Sequence, residues 1–273
     1  MQLVEVEGLV ETARVMGYYR SPYILAGAGV FLLCFFLIAG IKRTGAVFTM
    51  LLNIAVVLLL IQAMKRGYPP LLAAFVLAGT GVAVTMAVIL RSGRKLAASL
   101  LGAAVGILSA GLLTSVFMKM MHISGMFSMD ARMLLTASRH LSGWDLWDLR
   151  GLVAAGVIVA SMGAVIDISV SVVSALWQVS CSAGMATFSA LWKSGMRVGR
   201  DIIATMINSL ILVFLGVSLP MIAVFEAAGI PFIRAVNYEF FSILILSAIV
   251  STVSLVVTVP ATCAVSAAFF RKQ

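Results

Sequence analysis

Seven stretches of this chain run for about twenty residues with at most one charge each, and that feature decides most of what it can fold into. A bilayer core is about 30 Å thick and is crossed by roughly 20 residues of helix. Its interior offers no water to the peptide groups, so only helices and closed barrels span it. A barrel would show segments of about ten residues with alternating polarity, and none occur. The expected fold is therefore all-α, a polytopic transmembrane helical bundle with about seven spans plus interfacial amphipathic helices. The spans fall near 23–41, 45–64, 70–90, 96–118, 151–177, 201–224 and 239–260, within a single integral membrane domain over 1–273.

Composition agrees. The chain is 62% apolar and 11% charged, against roughly 25% charged in a soluble domain. Its net charge of +9 does not point to nucleic acid. The cations sit in short clusters between apolar runs, where they set topology, and form no basic stripe interleaved with aromatics. The cysteines Cys34, Cys181 and Cys263 are scattered and suggest neither a disulfide framework nor a metal site. Residues 1–20 carry Glu5, Glu7 and Glu11 where a signal peptide has a basic start, so the first span is expected to be retained.

The basic clusters 42–43, 91–95, 193–200 and 271–272 alternate with less basic connections. That bias predicts an external N-terminus and a cytoplasmic C-terminus. Two stretches read as amphipathic surface segments. Residues 119–150 hold His122, His140 and the aromatic pair Trp144 and Trp147; residues 178–199 set Leu191 and Trp192 against Lys193 and Arg197. The second is expected to end near Gly195 and Gly199. Pro260 is expected to kink or end the spanning part of the last helix.

The candidate site is a polar seam inside the apolar runs. Helix positions four and seven apart share a face, which aligns Asp167, Ser171, Ser174 and Gln178. The next span aligns Asp201, Thr205 and Asn208, with Arg200 beside them. The last aligns Ser247, Ser251, Ser254 and Thr258. Three stripes at matched depth predict a shared cavity or a packed polar interface. Serine and threonine also serve plain helix packing, and Asp201 at a helix start would serve as a cap, paired with Arg200 or Arg197. Asn237 and Glu239 read as a turn and a helix start. Asp167 is the strongest functional candidate, since packing does not require a carboxylate and a charge inside the bilayer costs about 2.5–3.5 kcal/mol. Gly102 and Gly106 would let two helices approach closely.

At these residues the chain resembles the YibE/F family of bacterial multi-pass membrane proteins. The resemblance rests on GAVIDISVSVVSA at 163–175, SGMRVGRDIIATMINSLIL at 194–212 and NYE at 237–239, with weaker support from RGYPP at 66–70 and GRKLAASLLG at 93–102. It covers about 40–265. It implies a bacterial inner-membrane location and a second YibE/F-type membrane protein, or a second copy, as partner. Many members carry an extracytoplasmic domain before the membrane region, and this chain looks like the membrane part alone. An acidic residue often follows the first motif in the family; Trp177 and Gln178 stand there instead. The family implies no biochemical activity.

No Ser/His/Asp arrangement, zinc-protease motif, phosphate loop or paired catalytic carboxylates occur. The chain therefore reads as a non-enzyme with no cofactor, no metal and no nucleic-acid partner, its partner being the lipid bilayer. Two functions follow. One is a proton- or cation-coupled transporter of a small substrate, using Asp167. The other is a non-transporting subunit that assembles with a partner membrane protein.

Overall fold

Peptide groups in a bilayer must pair along their own segment, and the chain meets that demand with helices. The computed structural model describes residues 20–40, 44–90, 92–126, 148–182 and 187–271. The chain divides into two compact units, Met1–Phe48 and Thr49–Gln273. In the first, α1 (Ser21–Ala39) starts with Pro22 in its opening turn, where a missing N–H costs nothing. Then come α2 (Thr44–Lys65), α3 (Pro70–Leu90), α4 (Gly93–Met120), α5 (Leu149–Ser182), α6 (Phe188–Ala227), the short α7 (Phe232–Val236) and α8 (Glu239–Phe270). All but α7 are long and apolar enough to cross a membrane. The all-α polytopic expectation holds.

In the Thr49–Gln273 unit, α8 packs against α4, α5 and α6, and α5 also packs against α3 and α4. Its core has three parts. Met86, Ile107, Ile158 and Val165 join α3, α4 and α5. Ile168, Leu176, Leu191, Val259 and Cys263 join α5, α6 and α8. Ala110, Val157, Leu246 and Val250 join α4, α5 and α8.

The α4–α8 contact is closest where α4 lacks side chains. A Cβ on Gly102 would lie 2.8 Å from Thr262 Cβ and 2.9 Å from Thr262 Cα. A Cβ on Gly106 would overlap the Thr258 hydroxyl and lie 3.0 Å from a Val165 methyl. Lipid chains are as apolar as leucine, so helices gain little by hiding apolar surface from them and associate through close packing. The glycine pair supplies that closeness.

Both ends of the unit are fastened by side chains. At one end Lys95 Nζ sits 4.9 Å over the Trp177 ring, whose edge meets Phe270 at 5.1 Å. At the other, Arg150 Nη2 donates to the Met118 carbonyl at 3.1 Å and Asp148 accepts from Gly151 N–H at 2.9 Å.

One boundary differs from expectation. The described residues of 178–199 belong to two long helices rather than to a separate surface helix: α5 continues to Ser182, and α6 runs unbroken from Phe188 through Gly195 and Gly199. These glycines act as close-packing points rather than terminators. A Cβ on Gly195 would meet Cys263 Sγ at 2.8 Å and Leu176 Cδ1 at 2.9 Å, and one on Gly199 would overlap Val259. Pro260 lies inside α8, which runs on as helix to Phe270. The reading of 119–150 as a surface segment lies outside the described residues from 127 to 147.

Gly102→Ala should lower the melting temperature of the solubilised protein, because overpacking against backbone costs about 1–3 kcal/mol. Gly156→Ala, whose Cβ meets nothing within 4 Å, should be neutral or slightly stabilising. Equal melting points for the two variants would contradict the close-contact account.

Candidate functional site: an open polar face on α5

Between Gly151 and Ser182, the exposed positions of α5 are Gly156, Ala160, Gly163, Asp167, Ser171, Gln178, Cys181 and Ser182, with Ser174 half-buried beside them. The first six, with Ser174, recur at spacings of three and four and form one continuous stripe. A Cβ on Gly156 or Gly163 would meet nothing within 4 Å. Asp167 makes no hydrogen bond or ion pair among the described residues. It lies about 27 Å along the helix from Leu149, near the far edge of a hydrocarbon layer about 30 Å thick. The sequence alignment of Asp167, Ser171, Ser174 and Gln178 is thus present, extended towards Leu149 by small residues.

The rest of the seam does not converge. On α6, Gly195 and Gly199 are the buried face, and Asn208 follows Gly199 by nine residues, hence points roughly 180° away. Arg200, Asp201, Thr205 and Asn208 are all exposed. Thr205 Oγ1 donates to the Ile202 carbonyl at 2.9 Å. Asp201 is mid-helix, not a cap; Thr187 caps α6, accepting from Ala190 N–H at 3.3 Å. Asp201 forms no ion pair with Arg197 or Arg200 among the described residues.

The α8 stripe turns inward. Ser247, Ser251, Ser254 and Thr258 are buried, and Thr262 and Ser266 continue the line. Ser247, Ser254 and Thr258 donate to carbonyls one turn back, at 2.8, 2.7 and 2.6 Å. Facing Gly102 and Gly106, this stripe packs helices together.

Glu239 forms an end clamp, and Asn237 closes the turn before it. Asn237 Nδ2 donates to the Ile233 carbonyl at 2.7 Å. Glu239 Oε1 accepts from the Ser124 and Gly125 N–H groups, both at 2.6 Å, and Oε2 accepts from Ser124 Oγ at 2.8 Å. Gly125 has φ +82°, and a Cβ there would lie 2.7 Å from the Leu149 carbonyl carbon. Only glycine fits this turn between α8 and the start of α5. No local signal could have paired Glu239 with residues 114 and 115 positions away.

Asp167 does not line any of three larger depressions on this unit. An apolar groove of about 330 Å³ separates α6 from α8 near Phe214, Phe225 and Phe241. One of about 320 Å³ lies between α2 and α3 near Leu59 and Val76. A cleft of about 690 Å³ is lined by Trp192, Lys193, Met196, Arg197, Arg200 and Asp201. The cleft was legible only as an amphipathic pattern, since an assumed helix end at Gly199 hid its continuity.

A family model described as YibE/F-like protein matches residues 27–272. No curated protein matches the chain, and no solved structure does.

Proposed function

The chain belongs to the YibE/F-like family, and we propose that it is a membrane subunit whose α5 face is covered by a second membrane-spanning chain. The supporting observation is a contrast between two open surfaces. The open side of α6 carries Leu212, Val213, Val217 and Leu219, each about 60% exposed, as a lipid-facing helix should. The open side of α5 instead carries glycine, alanine, serine, glutamine and a carboxylate with no partner among the described residues. Lipid gains nothing from such a face, whereas another helix can approach it closely and hydrogen-bond to it. The partner is a second copy or a related YibE/F-type chain, and the protein is an assembly component rather than an enzyme.

A second reading rests on the same residue. If packing alone were at stake, asparagine would serve at 167 without the cost of a charge. A carboxylate on a covered seam suits passage of a proton or cation between the chains.

In mild detergent the wild-type protein should purify as a complex of defined stoichiometry with that second chain. Gly163→Trp, which places an indole on the open face, should purify alone with unchanged helix content and melting temperature. Asp167→Asn should keep the complex; if it also fails to restore the phenotype of a deletion strain, the carboxylate carries an ion. A wild-type protein that runs as one chain, or a Gly163→Trp complex identical to wild type, would refute the assembly reading.

We further infer a bacterial inner-membrane location with the Lys95 end of the bundle in the cytoplasm. Arg94, Lys95, Lys193, Arg197, Arg200 and Arg271 lie towards that side, against Lys65, Arg66, Lys119, Arg150 and Arg234 on the other. In a background lacking the exposed Cys34 and Cys181, a cysteine at position 271 should resist an impermeant thiol reagent on intact cells. One at position 234 should react. The reverse pattern would invert the topology.

A further inference from the structure

We propose that the cleft on the outward face of α6 binds the headgroup of an anionic phospholipid. The inference does not depend on the α5 interface, which lies on another helix. Lys193, Arg197 and Arg200 are exposed and line the cleft with Trp192, Met196 and Asp201. Spaced by four and three residues, the cations share one face and cover about 10 Å of helix. Among the described residues none of them is engaged in an ion pair. Their charge is held outward because Gly195 and Gly199, on the opposite face, are packed against Leu176, Cys263 and Val259.

Depth selects a lipid over other anions. Counting from Glu239, about 20 residues of α8 cross the hydrocarbon and reach Val259, which touches Gly199. Arg200 therefore lies at the hydrocarbon edge, with Arg197 and Lys193 one and two turns further out, level with lipid phosphates. Trp192 has Phe188 stacked on it at 6.3 Å, the aromatic arrangement of an interfacial belt. Met196, between the levels of Arg200 and Lys193, supplies an apolar wall beside the glyceryl carbons. Asp201, one residue deeper than Arg200, would repel a phosphate placed at that depth and so keeps it outward beside Arg197 and Lys193, and the fit is to the phosphate of an anionic phospholipid such as phosphatidylglycerol.

The test is a titration of the purified full-length protein with fluorescent phosphatidylglycerol in neutral detergent. At roughly fivefold per cation near the surface, the triple variant Lys193→Gln, Arg197→Gln, Arg200→Gln should bind about a hundredfold more weakly. Arg197→Gln alone should lose about fivefold, which keeps the test valid if the triple variant misfolds. Arg94→Gln, an exposed cation outside the cleft, should bind as wild type does. Unlabelled phosphatidylglycerol should displace the probe, and phosphatidylcholine with the same acyl chains should not. Equal competition by phosphatidylcholine, displacement by millimolar inorganic phosphate, unchanged binding by Arg197→Gln, or an equal loss in Arg94→Gln would each overturn the proposal.

Discussion

The approach of α4 to α8 at Gly102 and Gly106 is the contact on which the Thr49–Gln273 unit depends. A Cβ at Gly102 would lie within 3 Å of α8 backbone, so no other residue permits this spacing. Because α8 also packs on α5 and α6, its placement fixes where their remaining faces point. The inward Ser/Thr line of α8 follows from the same closeness. Its short side chains fill a gap too narrow for leucine, and Ser247, Ser254 and Thr258 return their hydroxyl protons to their own helix.

Once those faces are used, the outer surface of the unit divides by chemistry. The far half of α6 presents branched aliphatic residues to lipid. Its near half presents the cations Lys193, Arg197 and Arg200. The open side of α5 offers lipid chains little, since it carries only Gly156, Ala160 and Gly163 through the middle of the bilayer and turns polar from Asp167 onward. A surface of that kind is stable when protein covers it, which makes assembly the economical account of Asp167 and its neighbours.

Much of this was legible in the sequence. The spans follow from apolar length alone, and the importance of Gly102 and Gly106 followed from their spacing. The stripes were also legible as stripes. Periodicity states which residues share a face but not what that face meets. So three polar lines were expected to converge, whereas α8 turns its line into the core and α6 turns Asp201 and Asn208 away from it. The reading of Gly195 and Gly199 as helix ends failed for a related reason. Glycine marks a helix end or a close contact, and only the positions of Leu176, Cys263 and Val259 decide between them. The Glu239 clamp on Ser124 and Gly125 joins segments too distant in sequence for any local pattern to connect.

The most direct test of the central claim is photo-cross-linking in native membranes, with a photoreactive amino acid placed singly at Ser171 on α5 and at Val217 on α6. Both positions are exposed in the single chain. The account predicts a discrete protein–protein adduct from position 171 and lipid adducts alone from position 217. Lipid adducts alone from both positions would contradict it, since the polar face of α5 would then be a surface the bilayer itself covers.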